Sequence, residues 1–224
     1  MRIQLKLSPN TQPVPFNHLH QLTQRLHRWL GPENALHDGL SLYSFGWLRG
    51  GERVGKGLWF PQGASWNISF HDSEQGIHLA KGILADREAF FGMQVDKALE
   101  MPYPAFNKKQ LFRVDGAVIA RKIRDDRTKQ YLFSHDSEAD EVLTRVLRKK
   151  MLIAGFSDEE ASATLVKFVR TNGGKTSTRK LTIKGIDHKG SVCPVIVEGT
   201  PASTRFAWLV GIGELTGSGF GALQ

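Results

Sequence analysis

The strands and helices predicted from the sequence come in the same order in both halves of the chain. In the first half, residues 2–7 alternate apolar and polar side chains, as a half-buried strand does. The elements predicted after this strand are a helix over 16–30, strands over 41–47, 57–60 and 65–70, a helix from Ser73, and a strand over 90–99. Apart from one additional short strand between the two helices, this is the order β-α-β-β-α-β, which is typical of a ferredoxin-like domain.

The second half begins after a connection that contains Pro102 and Pro104. Its predicted elements are a strand over 111–122, a helix from Ser137 to about Ala154, strands over 164–170, 179–186 and 191–198, a helix after Thr200 and a short terminal strand. The sequence therefore predicts an α+β fold of two tandem ferredoxin-like (RRM-like) domains. Each would be an antiparallel sheet with helices on one face, and they would span residues 1–106 and 107–224.

A glycine-rich loop follows the last predicted helix. Its five glycines lie within eleven residues: Gly211, Gly213, Gly217, Gly219 and Gly221. Mononucleotide and dinucleotide sites have the opposite order, with a strand before the loop and a helix after it, so those sites are disfavoured. Glycine lets a ligand approach the main chain, and exposed N–H groups attract anions. The loop is thus expected to contact an anionic ligand, although flexible turns before the last strand are an alternative.

The charge balance favours a polyanionic partner. Lys and Arg number 30 against 22 Asp and Glu, which gives a net charge of +8 and a pI near 9.7. A single basic cluster is more often a solvated face than a binding site, but three clusters near a glycine loop favour a nucleic-acid groove. The clusters are Arg121, Lys122, Arg124, Arg127 and Lys129; Arg145, Arg148, Lys149 and Lys150; and Lys175, Arg179, Lys180 and Lys184.

Cysteine, metal and membrane signals are weak. Cys193 is the only cysteine, so neither an intrachain disulfide nor a cysteine metal pair is expected. No Asp, Glu and His grouping has the spacing of metal ligands, and we expect neither a metal nor another cofactor. We find no secretory signal and no apolar run of membrane-spanning length, so a cytoplasmic location is expected.

Four local motifs carry a resemblance to a known family. They are residues 15–18 (PFNH), residues 36–39 (LHDG) followed by 42–46 (LYSFG), residues 118–122 (VIARK), and the tail from Val210 to Gly221. Together they resemble the repeat-associated RNA-binding superfamily of CRISPR systems. Within it, the chain resembles the endoribonuclease that cuts precursor CRISPR RNA inside each repeat.

The resemblance implies a metal-independent, sequence-specific endoribonuclease that leaves a 2′,3′-cyclic phosphate and a 5′-hydroxyl. Its partner would be CRISPR repeat RNA, and binding to effector-complex proteins is left open. The protein would be a monomer or a homodimer and would not associate with a membrane. One alternative is a non-catalytic subunit that binds guide RNA inside an effector complex. A generic double-RRM binder is a weaker alternative, because the aromatic strand motif of that class is absent.

Histidines are the candidate catalytic groups. Transphosphorylation needs one group to take the 2′ proton and another to protonate the leaving oxygen, and histidine suits both roles. By resemblance His37 matches the general base of the family, and its alternative is a surface-loop histidine. His27 and His20 are seven residues apart and so share a helix flank. The resemblance makes His27 the general acid or an orienting partner. The alternative is that His27 merely borders the core or solvent, and His20 is a weaker candidate.

One departure from the family concerns charge at the reacting phosphate. Many relatives carry a lysine shortly after the catalytic histidine, whereas residues 38–41 here are Asp-Gly-Leu-Ser. Transition-state support is expected from Ser41 and Lys56, with Arg49, Arg53 and Ser44 as other sources, or else cleavage is slow. The residues expected to follow the RNA backbone, with a strong dependence on salt, are Arg121, Lys122, Lys149, Lys150, Arg179 and Lys180.

Overall fold

The computed structural model describes residues 1–32, 34, 40–170 and 177–224. The helices are α1 (Leu19–Leu30), α2 (Ser73–Ala85), α3 (Glu138–Ile153), α4 (Asp158–Ala163) and α5 (Pro201–Val210), with a 3-10 turn at Thr216–Ser218. The strands of the first half are β1 (Arg2–Leu7), β2 (Val14–Pro15), β3 (Tyr43–Phe45), β4 (Glu52–Val54), β5 (Gly57–Trp59), β6 (Ala64–Phe70) and β7 (Val95–Glu100). Those of the second half are β8 (Lys109–Phe112), β9 (Val114–Asp115), β10 (Ala120–Ile123), β11 (Lys129–Leu132), β12 (Leu165–Phe168), β13 (Ser177–Ile183), β14 (Ile186–Val192), β15 (Val195–Glu198) and β16 (Ala222–Leu223).

The first domain has the predicted ferredoxin-like topology. Its four strands lie in the order β3-β6-β1-β7, and every neighbouring pair is antiparallel. The alternation in β1 places Ile3 and Leu5 in the core. Helix α1 contributes Leu22 and Leu26 to the same core, and a separate small sheet, β2-β5-β4, lies beside it.

The second domain repeats this topology with a divided first strand. The sheet β12-β15-β8 continues through β9, which pairs with β16, because only Arg113 separates β8 from β9. Two further hairpins, β10-β11 and β13-β14, extend from this sheet. The fold is therefore two tandem ferredoxin-like domains, with β7 ending at Glu100 and β8 beginning at Lys109.

Three strand predictions in this domain are wrong, and each error has a local cause. The strand predicted over 111–122 is broken near Gly116, whose φ of +116° is not a strand conformation. The strand predicted over 179–186 turns back at Lys184 and Gly185, which both have positive φ. Pro194, which has no backbone N–H, separates β14 from β15. Helix α4 was not among the predicted elements.

Helix α5 joins the two domains because it packs between both sheets. It begins as predicted, with the Thr200 side chain accepting from the Ser203 N–H. Its last three carbonyl groups accept hydrogen bonds from Arg2 Nη2 (2.7 Å), Ser44 Oγ (2.8 Å) and Lys150 Nζ (3.0 Å). Basic groups at a helix C-terminus complement its dipole, so side chains from both domains fix the point where the glycine-rich loop starts.

The glycine-rich loop also takes part in the core. Phe220 is fully buried in the apolar cluster of the first domain, and Ile212 is buried in that of the second. The indole N–H of Trp47 donates to the Gly219 carbonyl at 2.8 Å. Within the described residues, no helix combines the length and the apolarity needed to cross a membrane.

Candidate functional site

A cleft of about 680 Å³ opens where α1, β3, the glycine-rich loop and the tip of the β13-β14 hairpin meet. Its walls come from both domains, so docking of the two sheets forms the cleft. The described residues that line it are His20, Thr23, Gln24, His27, Arg28, Ser41, Tyr43, Ile183, Lys184, Gly217 and Ser218. We call this the His27 cleft.

Helix α1 presents its histidines to the cleft because its opposite side is committed to the core. Leu19, Leu22 and Leu26 are buried and set the rotation of the helix. His20 and His27 lie on the neighbouring flank, as their spacing predicts, and both line the cleft.

The imidazole of His27 has hydrogen-bonding partners at both ring nitrogens. Nδ1 lies 3.1 Å from Asn34 Oδ1, and Nε2 lies 3.2 Å from the Tyr43 hydroxyl. The Asn34 amide nitrogen donates to the Gly31 carbonyl, which directs the amide oxygen toward His27. Because an amide oxygen only accepts, Nδ1 carries a hydrogen and Nε2 is the position that gains or loses a proton.

Tyr43 connects His27 to the glycine-rich loop. Its hydroxyl lies 3.2 Å from the Gly217 carbonyl as well as 3.2 Å from His27 Nε2. Burial raises the pKa of Tyr43 to about 12, so its hydroxyl keeps its proton at neutral pH. When Nε2 is unprotonated it accepts from the Tyr43 hydroxyl. When Nε2 is protonated it donates, and the Tyr43 hydrogen turns to the Gly217 carbonyl.

His37 lies in residues 35–39, outside the described residues, so its assignment as the base stays a prediction. The described residues on either side of this segment lie at the His27 cleft or at the groove beside it. Asn34 bonds His27, and Leu40 and Ser41 line clefts of the site.

Gly217 is required by close packing at the cleft. A Cβ atom at this position would lie 2.6 Å from both the Tyr43 hydroxyl and Ser41 Oγ. Gly213, with φ of +78°, lines a neighbouring groove. Of the five loop glycines, Gly213 and Gly217 are the two that line one of these cavities.

The other three loop glycines serve the fold. The N–H of Gly211 bonds Ala207 O at 2.9 Å, that of Gly219 bonds Thr216 O at 3.4 Å, and that of Gly221 bonds Ala117 O at 2.8 Å. All three glycines have positive φ and are buried. Their predicted role as RNA contacts is therefore replaced by a structural one, because their donors are already paired.

A second groove of about 520 Å³ lies beside the His27 cleft and shares Ser41 and Ser218 with it. Arg145 and Lys149, one turn apart on α3, are exposed on its wall. The described residues that line it are Leu40, Ser41, Arg121, Ile123, Arg145, Val146, Lys149, Lys150, Gly213, Glu214, Leu215, Thr216 and Ser218. We call this the α3 groove, and it gives the His27 cleft a basic extension.

Lys150 corrects the prediction that it follows an RNA backbone. Its side chain is 1% exposed, and Nζ donates to Val210 O at 3.0 Å and to Thr216 Oγ1 at 2.9 Å. Burial lowers the pKa of Lys150 to about 7. The sequence grouped it with Lys149, but the helical period turns these two adjacent side chains about 100° apart.

The remaining predicted backbone contacts differ in their availability. Lys149 is exposed on the α3 groove, and Arg179 is exposed on β13. Arg121 lines the groove but is bonded to Glu214, with Nε 2.9 Å from the carboxylate. The other two are paired elsewhere: Lys122 with Glu138, and Lys180 with Asp187 at 2.9 Å.

Of the residues expected to support the transition state, Ser41 lies in the His27 cleft. The others lie elsewhere among the described residues. Ser44 is buried under α5, Lys56 is exposed between β4 and β5, Arg49 is ion-paired, and Arg53 lies over an aromatic ring. The structure therefore does not bring Lys56 to the cleft.

Tyr43, Arg28 and Lys184 are cleft residues to which the sequence analysis assigned no catalytic role. Tyr43 could have been noticed, because a tyrosine in an apolar strand needs a partner for its hydroxyl. Lys184 was hidden by the strand predicted over 179–186, although Lys184-Gly185 is an acceptable two-residue hairpin turn. The described residues contain no group of three or more His, Cys, Asp or Glu side chains arranged to hold a metal ion.

The fold joins two ferredoxin-like domains to a C-terminal glycine-rich loop, and the site lies where the two domains and this loop meet. A family model described as CRISPR associated protein Cas6, C-terminal, matches residues 99–224. This match covers more than half of the chain, so the chain belongs to the Cas6 family.

Solved structures show the same fold over the whole chain. A protein described as a Cas6-related gene product from Pyrococcus furiosus has 21% identity and a TM-score of 0.87, covering 100% of this chain and 97% of its own. A CRISPR associated protein Cas6 has 23% identity and a TM-score of 0.81, with 100% and 98% covered. A RAMP protein described as binding different RNA substrates has 20% identity and a TM-score of 0.85, with 100% and 98% covered. The comparison with curated proteins gave no match.

Proposed function

We propose that this Cas6-family protein is a metal-independent, sequence-specific endoribonuclease that cuts precursor CRISPR RNA within its repeats. The observation that carries the proposal is the His27 cleft. There the imidazole of His27, the buried Tyr43 and Gly217 of the glycine-rich loop lie within hydrogen-bonding distance. The family membership supplies the substrate class.

The proposed reaction is a transphosphorylation. The 2′-hydroxyl attacks the adjacent phosphorus, the P–O5′ bond breaks, and the products carry a 2′,3′-cyclic phosphate and a 5′-hydroxyl. In this scheme His37 takes the 2′ proton, and His27 returns a proton to O5′ from Nε2. The support for His27 is that Asn34 holds Nδ1, which leaves Nε2 as the proton-bearing position.

Tyr43 orients His27 in this scheme. Its hydroxyl can pair with Nε2 in both protonation states because it donates in one and accepts in the other, with the Gly217 carbonyl taking the free hydrogen. Proton transfer to the leaving oxygen would then require only a small movement of the imidazole away from Tyr43. Ser41, which lines both grooves, would contact the RNA near the scissile linkage.

The RNA would run from the His27 cleft into the α3 groove. Arg145 and Lys149 would pair with phosphates on one side of the scissile linkage, and Arg179 would extend the basic surface on the β13-β14 hairpin. Each such contact releases counterions, so affinity should fall as salt rises.

One observation favours a non-catalytic guide-RNA-binding subunit as the second candidate. His27 Nε2 is already hydrogen-bonded to the buried Tyr43, an arrangement that also suits a structural imidazole that positions the Tyr43 hydroxyl against the Gly217 carbonyl of the second domain. Such a protein would bind repeat RNA tightly and leave it intact.

The test measures binding and single-turnover cleavage of repeat RNA from the encoding locus, in EDTA. We expect the wild type to cut, and His37→Ala and His27→Ala to lose cleavage while keeping affinity. His78→Ala is the matched control, because this histidine is exposed on α2 away from the cleft. Tight binding without cutting by the wild type would reject the nuclease in favour of the guide-binding subunit.

A further inference from the structure

The tip of the β13-β14 hairpin reaches across to the first domain and enters the His27 cleft. Its two turn residues, Lys184 and Gly185, have φ of 48° and 77°, the left-handed values that a tight two-residue hairpin turn requires. Ile183 and Lys184 both line the cleft. An element of the second domain therefore contributes a lysine to a site built on α1.

The hairpin is held in this position by contacts on both of its strands. The Thr182 N–H donates to Asn17 Oδ1 at 3.2 Å, and Tyr131 donates to the Asp187 carbonyl at 3.0 Å. Leu181 is 8% exposed and belongs to the core cluster of the first domain, against which Ile183 also packs. These contacts limit how far the Lys184 backbone can move relative to the cleft.

The charges around the cleft leave Lys184 available to a ligand. Arg28 and Lys184 are the strong cations among the described lining residues, and no carboxylate lines the cleft in that part of the chain. Arg28 Nη2 lies 3.4 Å from the Asp86 carboxylate and forms an ion pair with it, whereas Lys184 has no ion pair among the described residues. Asp187, the nearest acid along the hairpin, is bonded to other side chains, Lys180 and Thr182.

We propose that Lys184 is a catalytic residue that binds a non-bridging oxygen of the scissile phosphate. This inference rests on the proposed nuclease function. Attack of the 2′-hydroxyl adds negative charge to the non-bridging oxygens as phosphorus becomes five-coordinate. An ammonium group hydrogen-bonded to one of them stabilises that charge more in the transition state than in the bound substrate. Lys184 transfers no proton in this step, so its role is separate from those of the acid and the base.

The experiment compares single-turnover cleavage at saturating protein for wild type, Lys184→Ala and Lys184→Arg. We expect Lys184→Ala to lower the rate constant about 10- to 100-fold, less than the loss of a fully enclosed donor because the side chain is exposed. The dissociation constant should change less than about threefold, since one phosphate contact is removed. Lys184→Arg should recover most of the rate, because it restores the charge.

Two comparisons make the assignment specific. Lys189→Ala is the matched control: Lys189 is exposed on the same hairpin and is not among the residues that line the cleft, so its rate should equal that of the wild type. Arg28→Gln should slow cleavage less than Lys184→Ala, because Arg28 is shared with Asp86. A larger effect at Arg28 would move the assignment to that residue.

Phosphorothioates give a readout that a structural role would not move. Replacing one non-bridging oxygen by sulfur should slow the wild type more for one diastereomer than for the other, and Lys184→Ala should narrow that difference. An unchanged diastereomer ratio, or a wild-type rate in Lys184→Ala, would overturn the assignment while leaving the nuclease proposal intact. A wild-type protein that binds the RNA without cutting it would instead overturn the proposed function and this inference with it.

Discussion

Replacing Lys150 by methionine should change how the stability of the protein depends on pH. The ammonium group is buried between α5 and the glycine-rich loop, and burial lowers its pKa from 10.5 to about 7. Methionine keeps much of the apolar stem but has no titrating group. The substitution therefore isolates the contribution of one proton.

The sign and size follow from proton linkage. Below pH 7 Lys150 is protonated in both states, and the free-energy cost of burying its charge is constant. Between pH 7 and about 10.5 the unfolded chain binds one proton more than the folded protein. The free energy of unfolding then rises by about 1.4 kcal/mol per pH unit. Relative to Lys150→Met, the wild type should gain roughly 2.5 kcal/mol between pH 7.5 and 9.5.

Urea unfolding followed by tryptophan fluorescence at pH 7.5, 8.5 and 9.5 measures this difference. Lys149→Met is the matched control. Lys149 is exposed, so replacing it should leave the pH dependence of stability parallel to that of the wild type. Lys150→Met also loses two hydrogen bonds, which lowers the free energy of unfolding by the same amount at every pH. Parallel curves for the wild type and Lys150→Met would refute the reasoning, since Lys150 would then titrate alike in the folded and unfolded states.

Three further predictions concern the clefts. Gly217→Ala should slow cleavage at least about tenfold, because the new Cβ atom would lie only 2.6 Å from the Tyr43 hydroxyl and would push it out of place; an unchanged single-turnover rate would contradict this. Tyr43→Phe should lower stability by about 1 kcal/mol and reduce cleavage, since it removes a hydrogen-bonding partner of His27 Nε2; urea unfolding and the single-turnover rate constant check it, and wild-type values for both would contradict it. The double variant Arg145→Ala/Lys149→Ala should reduce the slope of log affinity against log salt by about two, with no loss of rate at saturation; an unchanged slope would show that neither side chain contacts phosphate.

Local sequence patterns predicted the elements whose surroundings are simple. The leucines of α1 fixed its buried face, and with it the shared flank of His20 and His27. Thr200 and Pro201 marked the start of α5, since cap geometry depends on adjacent residues only. The two ferredoxin-like topologies followed from the order of such elements.

Features that depend on distant parts of the chain could not be predicted in this way. Lys150 resembles its basic neighbours in sequence, and only the docking of α5 makes it a buried donor. The loop glycines predicted an exposed binding loop, whereas Gly221 is required because the Ile212 carbonyl would lie 1.9 Å from a Cβ atom there. Lys184 reaches the His27 cleft through a hairpin that crosses from the other domain. Long-range packing decided each of these roles.

A single atomic change in the RNA tests whether the protein cleaves by transphosphorylation, the reaction proposed for the His27 cleft. Repeat RNA carrying a 2′-deoxy nucleotide immediately 5′ of the cleaved linkage keeps its backbone charge but lacks the attacking hydroxyl. We predict unchanged affinity, no cleavage at that linkage, and a 2′,3′-cyclic phosphate on the product of the unmodified RNA. Cutting of the 2′-deoxy RNA at the same linkage would contradict the account, because water would then be the nucleophile.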